Sequence, residues 1–175
     1  RDVDWQNTQA YSFGLSGIYL NLQGRESAGQ VPPSEARALK GRITERLMAL
    51  RDPETGEPVI NAVYDAEDIF SGPYSGNGPD LIVGYREGYR AAWESAVGRT
   101  DGSILVENTK HWGGDHCIDA ALVPGVLFSS HKMDLRSGTP GLMDMAPTIL
   151  HLLGVEKPTH MDGATLSVLM EGETP

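Results

Sequence analysis

The sequence predicts an α/β fold in which helices pack on a central β-sheet. Two short apolar runs between helix-breaking residues, at 80–85 and 126–128, are typical of buried strands. A longer run at 35–51 has apolar residues at helical spacing. Because strands and helices are interspersed along the chain, we expect a layered α/β architecture.

Residues 10–22 predict sheet at the beginning of the chain. Aromatic and branched residues alternate there with breaks at Gly14 and Gly17, as in two short strands or one bulged strand. A turn-rich loop at 24–33 separates this sheet from the first helix.

The clearest helix is predicted over residues 35–51. Its apolar positions are Ala36, Leu39, Ile43, Leu47 and Leu50. Charged residues fall on the other face, as expected for an amphipathic helix. Ser34 stands where an N-cap hydroxyl could accept from an unpaired backbone N–H. Pro53 and Gly56 then predict a turn over 52–56.

The remaining chain predicts one further strand besides those at 80–85 and 126–128, a short helical turn and a second helix. We expect strand at 59–64, a helical turn at 65–70 and an exposed loop at 71–79. Between the predicted strands at 80–85 and 126–128, the residues 85–107 show neither helical nor strand periodicity in their apolar positions. Asp144 is predicted to cap a helix that ends at Gly154. Its apolar side would carry Ile149, Leu152 and Leu153.

Composition and charge exclude several classes of protein. Hydrophobic residues make up 39% of the chain and charged residues 22%, which is enough for a packed core. The net charge of −10 disfavours general nucleic-acid binding. No apolar run reaches the roughly 20 residues of a membrane span, and the single cysteine excludes an internal disulfide framework. We expect no membrane segment and a cytoplasmic location, unless a targeting signal lies upstream of Arg1.

One nine-residue segment, 111–119, concentrates metal-binding and acid/base chemistry. It holds His111, Asp115, His116, Cys117 and Asp119 around two glycines. A catalytic metal site needs at least three protein ligands, and adjacent residues rarely bind one ion together. The segment therefore cannot be a whole site. His116 is either a ligand or a half-exposed loop histidine, His111 is expected to face solvent, and Cys117 is expected to pack as a small hydrophobic residue.

Other sequence motifs give little support to other reaction types. No nucleophile elbow, phosphate-binding P-loop or dinucleotide-binding glycine motif is present. His131, His151 and His160 have no matching partners and are predicted to be structural. Arg25, after Gly24, could bind phosphate, or could form a surface ion pair or anchor its loop.

The order of several short motifs resembles the alkaline phosphatase superfamily, most closely its type I phosphodiesterase/nucleotide pyrophosphatase-like branch. The motifs are NLQGRE at 21–26, PDLIVGY at 79–85, GDH at 114–116, VPGVLFS at 123–129, DMAPTIL at 144–150, LGV at 153–155, MDG at 161–163 and Leu166. The resemblance covers nearly the whole chain. It implies an α/β/α sandwich, here as an incomplete domain (residues 1–175, a C-terminal segment) with an inserted subdomain at about 23–107.

The resemblance also implies a set of functional residues. Family members hold two divalent metal ions, usually Zn²⁺, with Asp and His ligands beside a Ser or Thr nucleophile. His116 is similar to the last ligand of that set, and it would be the only metal ligand here. From their positions near His116 in the sequence, and not from the resemblance, Asp115 is predicted to support it and Lys110 and Asn108 are predicted to face the substrate phosphate. The chain contains no Asp-His-Gly element, so the other ligands and the nucleophile are expected upstream and no catalytic residue is assigned in this segment.

These inferences predict the C-terminal portion of a metal-dependent phosphoester hydrolase of the phosphodiesterase/nucleotide pyrophosphatase type. Its partners would be a small phosphorylated substrate and the remaining N-terminal part of the same protein, and the segment alone would be inactive. The alternatives are a phosphomutase or sulfatase on the same scaffold, or a non-catalytic binding domain.

Overall fold

The computed structural model describes residues 3–97, 102–111, 117–134 and 138–169. The chain forms two compact units, Arg1–Pro124 and Gly125–Pro175. Both contain helix and strand, and this mixed content is compatible with the predicted α/β class. No helix in these ranges is long and apolar enough to cross a membrane.

The first unit is built on a four-stranded antiparallel sheet. The strands are β1 (Ala10–Phe13), β2 (Gly17–Leu20), β3 (Ile60–Asp65) and β4 (Leu81–Tyr85), in the spatial order β1-β2-β4-β3. The predicted strand pair at 10–22 is confirmed, with Gly14 in the connecting turn at φ +79°. The predicted buried strand at 80–85 is also confirmed, because β4 is central and its Leu81, Val83 and Gly84 are buried.

Helix α1 (Pro33–Met48) covers one face of this sheet. Leu39, Ala36 and Ile43 pack with Leu20 and Val31. Leu47 packs against a second group of buried residues, Val59, Ile60 and Val83, and the partly buried Ile18 and Val63 pack against the same group. The predicted apolar stripe of the helix is therefore its contact with the sheet.

Both ends of α1 differ from the prediction. Ser34 is not the N-cap, because the helix begins at Pro33 and is preceded by Pro32 at the cap position. Proline suits the first helical position, where its fixed φ is helical and no N–H is required. The helix ends at Met48 instead of Arg51, because Arg51 forms an antiparallel bridge with Pro58.

The register of the sheet places a second set of residues on the face opposite α1. Side chains alternate between the two faces of a strand, and Tyr11 pairs with Tyr19, Gly17 with Ile82, and Tyr64 with Ile82. We call this the tyrosine face. It comprises Tyr11, Tyr19, Tyr64, Ile82 and Gly84. Tyr11 stacks on Tyr19 with ring centroids 5.4 Å apart.

The segment between β3 and β4 follows the prediction. Helix α2 (Ala66–Ile69) is one short turn, and the Asp65 carboxylate caps it by accepting from the Glu67 N–H. Lys40 of α1 is buried and its Nζ lies 2.7 Å from the Asp65 carboxylate. This ion pair ties α1 to the end of β3. The loop at 71–79 is largely exposed and contains a short 3₁₀ helix, Ser75–Asn77.

The second unit contains helix α3 (Met145–Leu152) and a two-stranded antiparallel sheet, β5 (Lys132–Asp134) with β6 (Ser167–Leu169). Asp144 lies at the predicted cap position, but its carboxylate accepts from Gly141 N–H and Ala164 N–H instead of from the helix. Gly154 follows the helix at φ +70°, as predicted for a helix stop.

One prediction for the second unit is wrong, and one apolar surface of it is left exposed. Residues 126–128 form no strand, and Val126 and Phe128 are 83% and 91% exposed. An isolated strand needs a neighbour for its backbone hydrogen bonds, and the described residues provide none. The apolar residues predicted for α3, Ile149, Leu152 and Leu153, are each more than half exposed.

The structure makes one direct stability prediction for α1. Gly41 lies inside the helix, is exposed, and has open space where a Cβ would be added. Gly41→Ala is expected to raise the free energy of unfolding by about 0.5–1 kcal/mol, because alanine loses less backbone entropy in a helix. Urea unfolding followed by tryptophan fluorescence would measure it, since Trp5, Trp93 and Trp112 all fall within Arg1–Pro124. A lower midpoint would contradict the prediction.

Candidate functional site

Among the described residues, Asp119 is the buried carboxylate closest in sequence to the predicted ligand His116. It is 2% exposed and its backbone N–H donates to the Tyr85 carbonyl at 2.9 Å. Its side chain caps the 3₁₀ helix Ala120–Leu122 by accepting from the Ala121 N–H at 3.0 Å. The end of the segment 111–119 is thereby fixed to the end of β4.

Two side chains of β3 also hold Asp119. Asn61 donates from Nδ2 to Asp119 Oδ2 at 2.7 Å. Tyr64 donates from its hydroxyl to the same carboxylate, 2.8 Å from Oδ1 and 3.0 Å from Oδ2. We call Asp119, Asn61 and Tyr64 the Asp119 clamp. Because Tyr64 belongs to the tyrosine face, Asp119 approaches the sheet on the side opposite α1.

Gly84 makes this close approach possible. A Cβ added at Gly84 would lie 2.6 Å from Asp119 Oδ2, well inside van der Waals contact. Gly84 therefore has a steric role on the tyrosine face, and its φ imposes no constraint of its own because it is not positive.

The electrostatics of the clamp favour an ionised Asp119. Burial alone would raise the pKa of the Asp119 carboxyl. The hydrogen bonds from Asn61, the Ala121 N–H and Tyr64 outweigh burial and hold that pKa below its ordinary value. The hydrogen bond between Tyr64 and Asp119 is the main cause that raises the pKa of the Tyr64 hydroxyl. Burial and the negative charge of Asp119 raise this pKa further. Asp119 is thus a charged acceptor held by neutral donors.

This lowered pKa predicts a specific acid sensitivity. A carboxyl whose pKa is lower in the folded state stabilises the fold above its unfolded pKa, about 4, and loses that contribution as pH falls through the folded value. Tyr64→Phe removes one donor. We expect it to reduce stability by about 1–2 kcal/mol at pH 7 and to give a shallower loss of stability below pH 4 than the wild type. Urea midpoints between pH 2.5 and 7 would test this, and parallel curves would contradict it.

The structure describes only part of the predicted site. His116 and Asp115 lie outside the described residues. Asn108 accepts from the Lys110 N–H through Oδ1 at 3.2 Å, and Lys110 Nζ lies 3.6 Å from Glu94 Oε1 at an exposed position. Their predicted contact with a substrate phosphate stays a prediction.

The structure describes the surface exposure of the other histidines and of the cysteine, and their predicted roles stay predictions. The histidines predicted to be solvent-facing or structural are exposed: His111, His131, His151 and His160. Cys117 is partly buried. Among the described residues, no group of three or more His, Cys, Asp or Glu side chains could hold a metal ion. This leaves the prediction of one ligand from this chain untested.

Arg25 is an anchor for its loop. It donates to the Asp80 carboxylate through both terminal nitrogens, at 3.0 and 2.6 Å, and to the Leu20 carbonyl. Its Nε lies 2.7 Å from Glu26 Oε1. Hydrogen bonding to Asp80 is the main cause that raises the pKa of Arg25. Of the roles considered from the sequence, these contacts describe both the ion pair and the loop anchor.

Asn21 completes the same region from the interior. It is 1% exposed and its Nδ2 donates to the carbonyls of Trp5, Thr8 and Ala28. Its backbone carbonyl accepts from Gln30 and Val31. Asn21 therefore organises the loops around the end of β2, and its contacts are with protein backbone.

The Asp119 clamp is not among the site residues predicted from the sequence. Asp119 belongs to the segment that was singled out, and its position before Ala120 and Ala121 is compatible with a cap, which is the one available signal. Asn61 and Tyr64 lie 58 and 55 residues away from Asp119 in sequence. No local pattern links such distant residues.

Comparison with known proteins adds no assignment. No family model matches this chain, and no curated protein or solved structure matches it.

Proposed function

We propose that this chain is the C-terminal portion of a metal-dependent phosphoester hydrolase of the type I phosphodiesterase/nucleotide pyrophosphatase kind. The observation that supports the proposal is the meeting of three separated segments at β4. Arg25, in the NLQGRE motif, binds Asp80, which precedes β4 in the PDLIVGY motif. Asp119, at the end of the segment containing GDH, binds Tyr85 at the other end of β4. The NLQGRE and PDLIVGY motifs and Asp119 thus meet at one strand, and this supports the proposal.

The exposed apolar residues of the second unit support an incomplete domain. Leu142 and Phe128 are 89% and 91% exposed, and most of the apolar side of α3 is uncovered. Monomeric soluble proteins rarely expose contiguous apolar patches of large size. We therefore propose that the chain is part of an α/β/α sandwich completed by the remaining N-terminal part of the protein.

The proposal assigns different roles to the residues of this chain. His116 would be a ligand of one of two Zn²⁺ ions, which in such enzymes polarise the phosphoryl oxygens and lower the pKa of the attacking group. Asp115 would support His116, and Lys110 would contribute positive charge toward the phosphate. Asp119 has its carboxylate oxygens occupied by N–H and O–H donors, so it is assigned no ligand role.

A substrate panel tests the proposed function. The full-length protein is assayed with bis(p-nitrophenyl) phosphate, p-nitrophenyl phosphate and p-nitrophenyl sulfate, before and after chelation and after addition of Zn²⁺. We expect fastest hydrolysis of the diester, loss on chelation and recovery with Zn²⁺, and no turnover by residues 1–175 alone. Preference for the sulfate ester would instead favour a sulfatase, and no hydrolysis of any ester would contradict the proposal.

A further inference from the structure

Asn77 differs from the other asparagines of the chain in its surroundings and in the residue that follows it. It is exposed at the end of the 3₁₀ helix Ser75–Asn77, and among the described residues its side-chain amide has no hydrogen-bond partner. It is followed by a glycine, Gly78. The other asparagines each make a side-chain hydrogen bond and precede a residue with a side chain: Asn7, Asn21, Asn61 and Asn108. Only Asn77 therefore combines an accessible amide with a backbone nitrogen that no neighbouring side chain shields.

We propose that Asn77 is a site of spontaneous deamidation in the folded protein. The Gly78 backbone nitrogen attacks Cγ of Asn77, so that a new N–C bond closes a five-membered imide. The bond from Cγ to Nδ2 breaks, and ammonia leaves with the proton from the Gly78 nitrogen. Water then adds to one of the two imide carbonyls and opens the ring to aspartate or to isoaspartate. Asparagine is a thermolabile residue for this reason, and the modification does not depend on the proposed hydrolase activity.

The structure allows this reaction without unfolding of the sheet. The Gly78 N–H donates to the Ser75 carbonyl at 3.2 Å, which is the closing bond of a single 3₁₀ turn. Such turns have poor hydrogen-bond geometry. Residues 71–77 are all exposed, so water can replace this bond when the turn opens. Local opening of an exposed loop costs far less free energy than global unfolding.

The product can be accommodated on one side of the modified position. Isoaspartate adds one carbon to the main chain and one negative charge. Beyond Gly78 the chain is fixed, because the Asp80 N–H donates to the Ile18 carbonyl at 2.8 Å and its carbonyl accepts from the Ala66 N–H at 3.0 Å. Before Asn77 the exposed residues 71–76 can take up the added length. The modification is therefore expected to leave the stability of the first unit unchanged.

Two glycine substitutions in the full-length protein form a matched pair for the test. Gly78→Ala places a side chain on the attacking residue, and its Cβ meets only the Ser75 carbonyl, at an ordinary contact distance of 3.4 Å. Gly76→Ala adds a Cβ to the same turn in open space and leaves the attacking nitrogen unchanged. Neither glycine has a positive φ, so neither substitution strains the backbone.

Wild type and both variants are incubated at 37 °C and pH 8, together with a synthetic peptide of residues 68–79. Tryptic peptide 52–86 is then analysed by mass spectrometry with fragmentation, and urea midpoints are measured before and after incubation. That peptide also contains Asn61, whose amide is held by Asp119, as an internal control. We expect wild-type Asn77 to be lost at a rate within about tenfold of the synthetic peptide, because the turn opens locally. The Asn61 amide and the urea midpoints should not change.

Gly78→Ala should slow the loss of Asn77 by about tenfold or more, because a side chain hinders the approach of the nitrogen and restricts its backbone dihedrals. Gly76→Ala should leave the rate within about twofold of wild type, since the attacking nitrogen still belongs to a glycine. The assignment is overturned if wild-type Asn77 reacts more than about tenfold slower than the peptide, because the fold would then protect it. Equal rates in Gly78→Ala and wild type, or equal loss of Asn61 and Asn77, would also overturn it. A lower urea midpoint after incubation would contradict the accommodation of the product by residues 71–76.

Discussion

His116→Ala in the full-length protein is expected to lower diester hydrolysis by about 100-fold or more and to reduce the zinc content by about one ion per chain. An imidazole ligand contributes directly to holding a catalytic metal, and loss of even an outer supporting group costs about 10–100-fold in affinity or activity. Loss of a metal ligand should therefore reduce metal affinity and activity by more than loss of a residue that supports the ligand. This is the largest effect that we expect for any single residue of this chain.

His160→Ala is the matched control for this experiment. His160 is exposed and is predicted to be structural. Its replacement should leave both zinc content and kcat unchanged. Metal analysis by inductively coupled plasma mass spectrometry, with kcat measured on the same preparation, gives both readouts. Unchanged zinc content and turnover in H116A would remove His116 from the site.

The spacing of apolar residues predicted the elements whose apolar side chains are buried by other parts of this chain. The apolar stripe from Ala36 to Leu50 predicted α1 because the sheet covers that stripe. The apolar run at 80–85 predicted β4 because a central strand is covered on both faces. In both cases the chain itself supplies the cover, so pattern and structure agree.

The run at 126–128 shows where this inference stops. It has the composition of a buried strand, but its residues are exposed and unpaired with any described strand. Helix α3 is present as predicted, but its apolar residues Ile149 and Leu152 are exposed, because no described residue covers them. A sequence pattern indicates that a residue can be buried; it does not supply the neighbour that buries it. Residues of this kind are therefore the ones that the proposed N-terminal part should cover.

The candidate site was predictable in one respect. The residue types in 111–119 indicated a site in that segment, but they did not indicate how the segment is held. Asp119 depends on partners from β3, and that pairing exists only after β3 and β4 have formed with their register. Residues that form long-range polar contacts of this kind do not recur at a regular spacing in the sequence, whereas the apolar residues of helix α1 do.

Asp80→Ala is expected to cause the largest loss of stability in the first unit, about 2–3 kcal/mol. The Asp80 carboxylate accepts both terminal Arg25 nitrogens and also the Leu20 N–H at 2.6 Å. Leu20 is fully buried, so its N–H would lose its partner in a place that water does not reach. An unsatisfied buried donor costs about 1–3 kcal/mol, and loss of a bond to a charged group costs about as much. The Arg25 side chain is 31% exposed and can regain water, which keeps the total below the sum.

Asp68→Ala provides the matched control for this measurement, because Asp68 is an exposed acid of α2. Exposed substitutions away from special contacts usually change stability by less than about 0.5 kcal/mol. Urea unfolding followed by tryptophan fluorescence reports the unit Arg1–Pro124, where all three tryptophans lie. Arg25→Lys should give a smaller loss than Asp80→Ala, because it leaves Asp80 as the acceptor for Leu20. If the two losses are equal, the ion pair rather than the Leu20 hydrogen bond carries the effect, and Asp80 would hold β2 and β4 together only through Arg25.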